Sequence, residues 1–351
     1  MYSNVSAMNY FPTPFLTRLL LVCLATMFCS RPAMAEWLSD EQAIMGTSIR
    51  VELWDEDHVA GEAAIAAVME EMRRIDRSMS PFIETSELSR INREAALHPV
   101  VISQEMFDLL TRSLEFSRLT SGAFDITFSS VGYLYDYRRH IKPTEAEIQR
   151  ALPGINYHHI ILDAEHGTVR FSQPGVRIDL GGIAKGHAVD NCIELLKKRG
   201  ITHALVTAGG DSRILGDHLG RPWMIGIRDP RRKDGVVAML PLSDTAVSTS
   251  GDYERYFIAD GVRYHHIINP KTGHSASKVH SATIIAPTAT TTDGLSKTAF
   301  ILGPEKTIAL IETLKGVDAV IVDKKGLLHY SRGLRRPDSP VKAPESIHTQ
   351  P

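Results

Sequence analysis

Three stretches of this chain combine residue types and spacings that could do chemistry. The first is Arg177-Ile-Asp179-Leu-Gly181-Gly182-Ile-Ala-Lys185-Gly186. An extended run enters glycines and then a helix start. Glycines let a ligand approach the backbone, and the free N–H groups of a helix N-terminus favour phosphate. Lys185 adds a positive charge, and Asp179 could hold a ribose hydroxyl or a metal. The stretch is neither a Walker loop, since no Ser or Thr follows a Gly-Lys pair, nor G-x-G-x-x-G. Taken alone, it reads equally well as a tight strand-to-helix turn.

The second stretch runs from Tyr264 through His265, His266, Ile267, Ile268, Asn269 and Pro270 to Gly273. Strand alternation places the two histidines on opposite faces, so at most one serves a given site. It would be a general base or a structural imidazole. The third, Thr290-Thr-Thr-Asp293-Gly-Leu-Ser296-Lys297-Thr298, looks like a capped helix start. Its hard oxygens also suit Mg2+ beside phosphates. Gly122-Ala123-Phe124-Asp125 opens a loop with an aromatic ring and a carboxylate, for which a core role is the simpler reading of Phe124. A polar loop from Ser78 through Phe82 to Ser86 leads into a short helix ending near Asn92. Cys192 shares a helical face with Ala188 and Leu196, which predicts a buried, inert thiol.

The elements that must position these residues are legible in part. Alternation predicts a strand through Ile49, Val51 and Leu53, and a 3.6-residue period predicts a helix over 59–76. Ser103 is placed to cap a helix with inner face Phe107, Leu110 and Leu114. Short strands are expected at 160–162, 169–171 and 176–180. A helix is expected from Ala184 to Lys198, stopped by Gly200. Further strands are expected at 203–208, 223–227, 236–240, 255–259 and 262–268, the last two joined by Asp260-Gly261 as a hairpin turn. A strand at 281–286, helices at 290–301 and 304–314, and a strand at 317–322 follow. Strands run in groups with helices interspersed, which predicts an α+β fold over a doubly wound parallel sheet.

The 351 residues are 43% hydrophobic and 23% charged, ordinary globular composition. Net charge is -2, and residues 1–35 carry only Arg18 and Arg31, so the body offers no basic excess for nucleic acid. Arg18, an apolar run from Leu19 to Phe28 and Ala33-Met34-Ala35 read as a secretory signal peptide cleaved before Glu36. The run is too short to span a bilayer, so the mature chain is expected to be periplasmic without a membrane span. One cysteine, Cys192, then remains, which excludes an internal disulfide. The expected organisation is signal peptide 1–35, a catalytic domain 36–334 and a disordered, proline-rich tail 335–351.

Order and spacing together give these motifs a specificity that none has alone. From about Met45 to Leu328 the chain resembles the ApbE family of FAD:protein FMN transferases. The matching segments are Met45-Gly-Thr47, Ser86-Glu-Leu-Ser89, Gly122-Ala-Phe-Asp125, Asp179-Leu-Gly-Gly-Ile-Ala-Lys-Gly186, His266-Ile-Ile-Asn-Pro-Lys-Thr-Gly273 and Ala286-Pro-Thr288 followed by Asp293. The resemblance implies antiparallel sheets with flanking helices, in two halves around a FAD cleft. It implies Mg2+-assisted transfer of FMN from FAD to a Thr or Ser of a redox protein, with release of AMP. It places Met45, Phe82, Ala123, Phe124, Asp125, Asp179, Lys185 and Ile268 against FAD. It places the Gly182 carbonyl and Asp293 on the metal.

Catalysis of such a transfer is positioning and electrostatics, with His266 as candidate base and Asp293 in the catalytic set. Three positions depart from the family pattern: Phe82 stands for Tyr, Asn269 for Asp and Lys297 for a metal-ligating Thr. A protonated lysine has no lone pair for a metal. Ser296 or Thr298 would supply the missing oxygen, or Lys297 would itself supply positive charge. The alternative functions are a FAD pyrophosphatase with water as acceptor and a FAD-binding protein without turnover.

Overall fold

A computed structural model describes residues 36–232 and 235–334. The expected signal peptide and tail lie outside the described residues. In chain order the first strands are β1 (Glu36–Ile44), β2 (Thr47–Asp55), β3 (Val100–Val101), β4 (Ile160–Asp163), β5 (Thr168–Phe171), β6 (Ala204–Ala208) and β7 (Asp211–Leu215). There follow β8 (Trp223–Arg228), β9 (Val236–Leu242), β10 (Ala246–Gly251), β11 (Tyr256–Ala259), β12 (Val262–His265), β13 (Val279–Ala286), β14 (Asp318–Asp323) and β15 (Leu328–Tyr330). The helices are α1 (His58–Met79), α2 (Glu87–Glu94), α3 (Gln104–Leu119), α4 (Ser129–Gly132), α5 (Glu145–Ala151), α6 (Ala184–Lys198), α7 (Ala289–Ser296), α8 (Thr298–Leu302) and α9 (Pro304–Ile311).

One eight-stranded sheet, in the order β1-β2-β6-β7-β10-β13-β14-β15, carries the core, and its recorded pairings are antiparallel. The α+β expectation therefore holds. In β2 the side chains of Ile49, Val51 and Leu53 are fully buried, as period-2 alternation requires. They face α1, whose Val68, Met69, Met72 and Ile75 are buried at helical spacing. Asp57 caps α1 by accepting from the N–H groups of Val59 and Ala60. β1 and β2 are joined by Met45-Gly46, both at positive φ (54° and 66°), the two-residue turn that matches the strand twist.

Helix α7 packs between α6 and the sheet, against β10 and β13. Gly186 permits this: a Cβ there would sit 2.2 Å from the Ala289 carbonyl oxygen and 2.8 Å from Asp293 Cβ. The close approach brings the first turn of α6 against the middle of α7, and the site is built on it.

Three expectations change. Residues 176–180 are extended but join no strand. Their backbone is held by side chains: Asn92 accepts from the Ile178 N–H and donates to its carbonyl, and Ser130 Oγ accepts from the Arg177 N–H. The expected helix at 290–301 is two helices broken at Lys297. The expected strand at 262–268 stops at His265 because Asn269–His274 folds back, with the Asn269 N–H donating to the His274 carbonyl. Strands β1, β7 and β10 were not expected. Five of the six residues of β10, Ala-Val-Ser-Thr-Ser-Gly, are buried, yet its hydroxyls hide it as a core strand. They are paired to Thr292, Thr283 and Ser296.

Candidate active site

Asp293 sits in the middle of α7 with no solvent exposure. Every close donor around it comes from residues with chemical interest. The Gly186 N–H donates to its Oδ2 at 3.0 Å. Lys185 Nζ lies 3.4 and 3.5 Å from its two oxygens and 2.6 Å from Asp211 Oδ2. Lys297 Nζ donates to Oδ1 in a short contact and to the Asp293 carbonyl at 3.2 Å. Lys185 also reaches the Gly181 carbonyl at 3.4 Å. Two buried carboxylates and two ammonium groups thus interlock at the N-terminus of α6.

Burial alone would push the Asp293 carboxyl up; Lys185 and Lys297 outweigh it and hold the group below the usual carboxylate range. Burial likewise works against charge on Lys185, but Asp211 and Asp293 outweigh it and raise the ammonium above its ordinary value. Asp293 and Lys185 are therefore charged at neutral pH.

Asp179 accepts from the Gly181 N–H at 2.6 Å, which shapes the glycine turn. Burial pushes its carboxyl up, against that hydrogen bond and the charges of Arg255 and Lys185. Arg255 ties the other parts together. Its Nη2 donates to the Gly46 carbonyl beside Met45 at 2.9 Å, and its own carbonyl accepts from the His266 N–H.

The two histidines separate as alternation predicts. His265 is buried, and its Nε2 donates to the Ala276 carbonyl at 2.6 Å, so it is structural. His266 is partly exposed, with Nδ1 3.4 Å from the Arg255 carbonyl. Donation from Nδ1 leaves Nε2 as a lone-pair acceptor. Desolvation, with His265, Arg255 and Lys297 nearby, holds the His266 imidazole down at about 3. It is neutral at physiological pH and presents a lone pair at Nε2.

The remaining candidate residues divide. Phe124 is buried, edge-on to Phe116, and its ring lies 3.4 Å from where a Gly182 Cβ would be, so Ala123-Phe124 backs the glycine turn from the core. Asp125 is buried, and its carboxylate accepts from the Thr127 N–H and hydroxyl and from the Tyr157 N–H. That makes it a local cap. Ile268 belongs to a small second core with Val131, Tyr135 and Ile148. Met45 lines an open cavity of about 450 Å3 with Arg73 and Asp76. Ala123 and Asn269 line another of about 450 Å3 beside Lys271 and Lys278. Phe82 projects into solvent, 91% exposed. Ser296 is buried; its hydroxyl donates to the Asp293 carbonyl and pairs with Ser250 Oγ at 2.8 Å, away from the Asp293 carboxylate.

Sequence reading missed Asp211, Asn92 and Arg255. Asp211 follows a Gly209-Gly210 pair at a strand end, and that signal could have marked it. Asn92 and Arg255 carried none, since their roles depend on partners 86 and 209 residues away.

The ApbE family profile matches residues 45–321. The FAD:protein FMN transferase of Treponema pallidum is 33% identical over 336 residues, covering 90% of this chain and 92% of that protein. The Vibrio cholerae FAD:protein FMN transferase is 31% identical, covering 83% and 90%. Among solved structures, the ApbE protein of Thermotoga maritima superimposes with a TM-score of 0.79 at 36% identity, covering 85% of this chain and 98% of that one. These matches run through the glycine turn, His266 and Asp293, and the chain belongs to the ApbE family.

Proposed function

We propose that this chain is a FAD:protein FMN transferase: it moves FMN from FAD to the hydroxyl of a Thr or Ser on a redox protein and releases AMP. The observation that carries this reading is the cluster of Lys185, Lys297, Asp211 and Asp293 at the glycine turn before α6, with the neutral His266 within electrostatic reach of Lys297. The glycine turn before α6 and the positive charge of Lys185 and Lys297 receive the pyrophosphate. His266 Nε2 takes the proton of the attacking hydroxyl. A bond forms from that oxygen to the FMN phosphorus, the bond from that phosphorus to the bridging oxygen breaks, and AMP leaves with the bridging oxygen. The proton passes from His266 to the leaving phosphate or to solvent.

The redox protein acceptor and the periplasmic site of action are part of this reading. Support for export comes from the charged-then-apolar start and Ala33-Met34-Ala35. Among the described residues no helix is long and apolar enough to cross a membrane.

The resemblance also implies Mg2+ on the Gly182 carbonyl and Asp293, with Ser296 or Thr298 as the expected substitute for the ligand lost at Lys297. The donors here do not fit that ion. Mg2+ demands near-octahedral oxygens at about 2.1 Å. Both Asp293 oxygens already accept from N–H donors. The Ser296 hydroxyl is engaged with Ser250, and the Thr298 hydroxyl with the Leu295 carbonyl. No step above passes through a metal.

The test is incubation of the protein with FAD and a candidate acceptor domain, followed by in-gel flavin fluorescence and AMP quantitation. Covalent fluorescence with matching AMP is expected. AMP without labelled acceptor would mean a pyrophosphatase, and bound FAD without AMP a carrier.

A further inference from the structure

A family metal ligand has become a lysine, and the structure shows where its charge goes. Lys297 lies one helical turn beyond Asp293, so the two side chains share a face. Its ammonium has three N–H donors. One goes to Asp293 Oδ1 and one to the Asp293 carbonyl, which leaves one. Lys185, by contrast, is surrounded by Asp211, Asp293 and the Gly181 carbonyl. The Lys297 side chain keeps 16% of its surface in solvent, and its charge acts on His266.

We infer that Lys297 takes the place of the divalent cation. Its remaining N–H binds a pyrophosphate oxygen of FAD and neutralises the charge that gathers on AMP as the phosphorus–oxygen bond breaks. FAD binding and FMN transfer then proceed without a metal. This rests on the FAD-cleaving reading of the site, and it adds that the ion is built into the chain. Asp293 changes role accordingly: in place of ligating a metal, it anchors an ammonium group. An ammonium held by a buried carboxylate is preorganised, so it need not be captured from solution. It is also a single charge in place of two.

The decisive measurement is FAD affinity of the EDTA-treated mature protein, by flavin fluorescence titration, with EDTA retained and with saturating Mg2+. Affinities within about twofold of each other are expected, with FMN transfer persisting in EDTA. Tightening by Mg2+ of about tenfold or more would overturn the inference, since that is the size of one charge-assisted contact. Lys297→Thr should make both FAD affinity and transfer depend on Mg2+. Lys297→Met should weaken FAD binding by about tenfold or more in either buffer, with Lys297→Arg restoring most of it in EDTA. If Lys297→Met, folded by circular dichroism, binds FAD as the wild type does, the ammonium is a structural ion pair and the inference fails. If a variant does not fold, the wild-type comparison still decides. If the wild type transfers no FMN in any buffer, the transferase reading falls while the FAD titration still judges the role of Lys297.

Discussion

Two buried aspartates in this molecule each gather several cations. Asp252 is 1% exposed and meets Arg263 at 3.0 Å, His280 at 3.0 Å and Lys324 at 2.8 Å. Asp293 meets Lys185, Lys297 and the Gly186 N–H. By charge count they look alike, and both carboxyls lie below the usual range, Asp252 at about 2. Their cations differ. Arg263 and Lys324 keep 39% and 38% of their side chains in solvent, whereas Lys185 and Lys297 keep 19% and 16%. Asp252 staples the ends of several strands from the outside. Asp293 holds its cations at a helix N-terminus next to a neutral imidazole. A buried ion cluster thus becomes a site through what adjoins it, here a glycine turn and a base, and not through its charge.

The sharpest way to break the comparison is to remove each carboxylate. Asp293→Ala leaves Lys185 with Asp211 and the Gly181 carbonyl, and Lys297 with only the backbone carbonyl of residue 293. A loss of about 3–5 kcal/mol in stability is expected, together with loss of FAD binding. Denaturant unfolding and fluorescence titration measure the two effects. Asp252→Asn strands cations that already reach water, so a smaller loss of about 1–2 kcal/mol is expected, with FMN transfer unchanged. Equal destabilisation by the two substitutions would show that exposure of the cations does not matter.

His266 tests the catalytic half. His266→Ala should slow transfer by about 10²–10⁴-fold while FAD affinity holds, because the base acts only on the incoming hydroxyl. AMP release and acceptor labelling should fall together. A variant that keeps its transfer rate would move the base elsewhere.

The Asp252 staple also has a pH signature. Its carboxyl sits at about 2 in the folded protein against an ordinary 3.8. A depressed carboxyl contributes stability that is complete above its unfolded value and lost as pH falls through the folded one. Wild type should therefore lose stability between about pH 4 and pH 2 more steeply than Asp252→Asn does. Parallel thermal-melt curves for the two proteins would remove the staple from the account.

What the sequence made legible follows from range. The helix over Ala184–Lys198, the hairpin at Asp260-Gly261 and the Ser103 cap are local signals, and each appears where expected. Period-2 patterning found β2, but not β10, whose buried Ser and Thr residues mimic a surface stretch until their partners are known. The site behaved the same way. The glycine turn, His266 and Asp293 were visible as motifs. The engagement of the Ser296 hydroxyl by Ser250 and the role of Asp211 were not, because each is a contact between a helix and a strand distant in the chain. Residues 176–180 read as a strand because their apolar pattern is correct. What they lack is a neighbouring strand, and the side chains of Asn92 and Ser130 satisfy their backbone instead.

The smallest expected effect on stability lies at Phe82, and it isolates apolar from ionic recognition. Phe82 exposes 91% of its surface, yet the loop beneath it is fixed. Ser86 Oγ donates to the Ser80 carbonyl at 2.7 Å, and Arg93 donates to the Glu84 carbonyl at 2.8 Å. An aromatic ring held out on a pinned loop loses little entropy when a flat partner covers it. Phe82→Ala should change stability by less than about 0.5 kcal/mol, since no packing is lost. If the ring covers the flavin, FAD affinity should fall by about 2–10-fold, the size of one aromatic contact. That loss should be the same at low and high salt, because apolar contact is not screened. The loss from Lys297→Met should shrink as salt rises, because an ammonium on a pyrophosphate at the cleft mouth is screened. FAD titrations of both variants at two ionic strengths separate the contributions. A Phe82→Ala protein that binds FAD as tightly as wild type would detach the ring from flavin recognition and leave the ionic cluster to carry it.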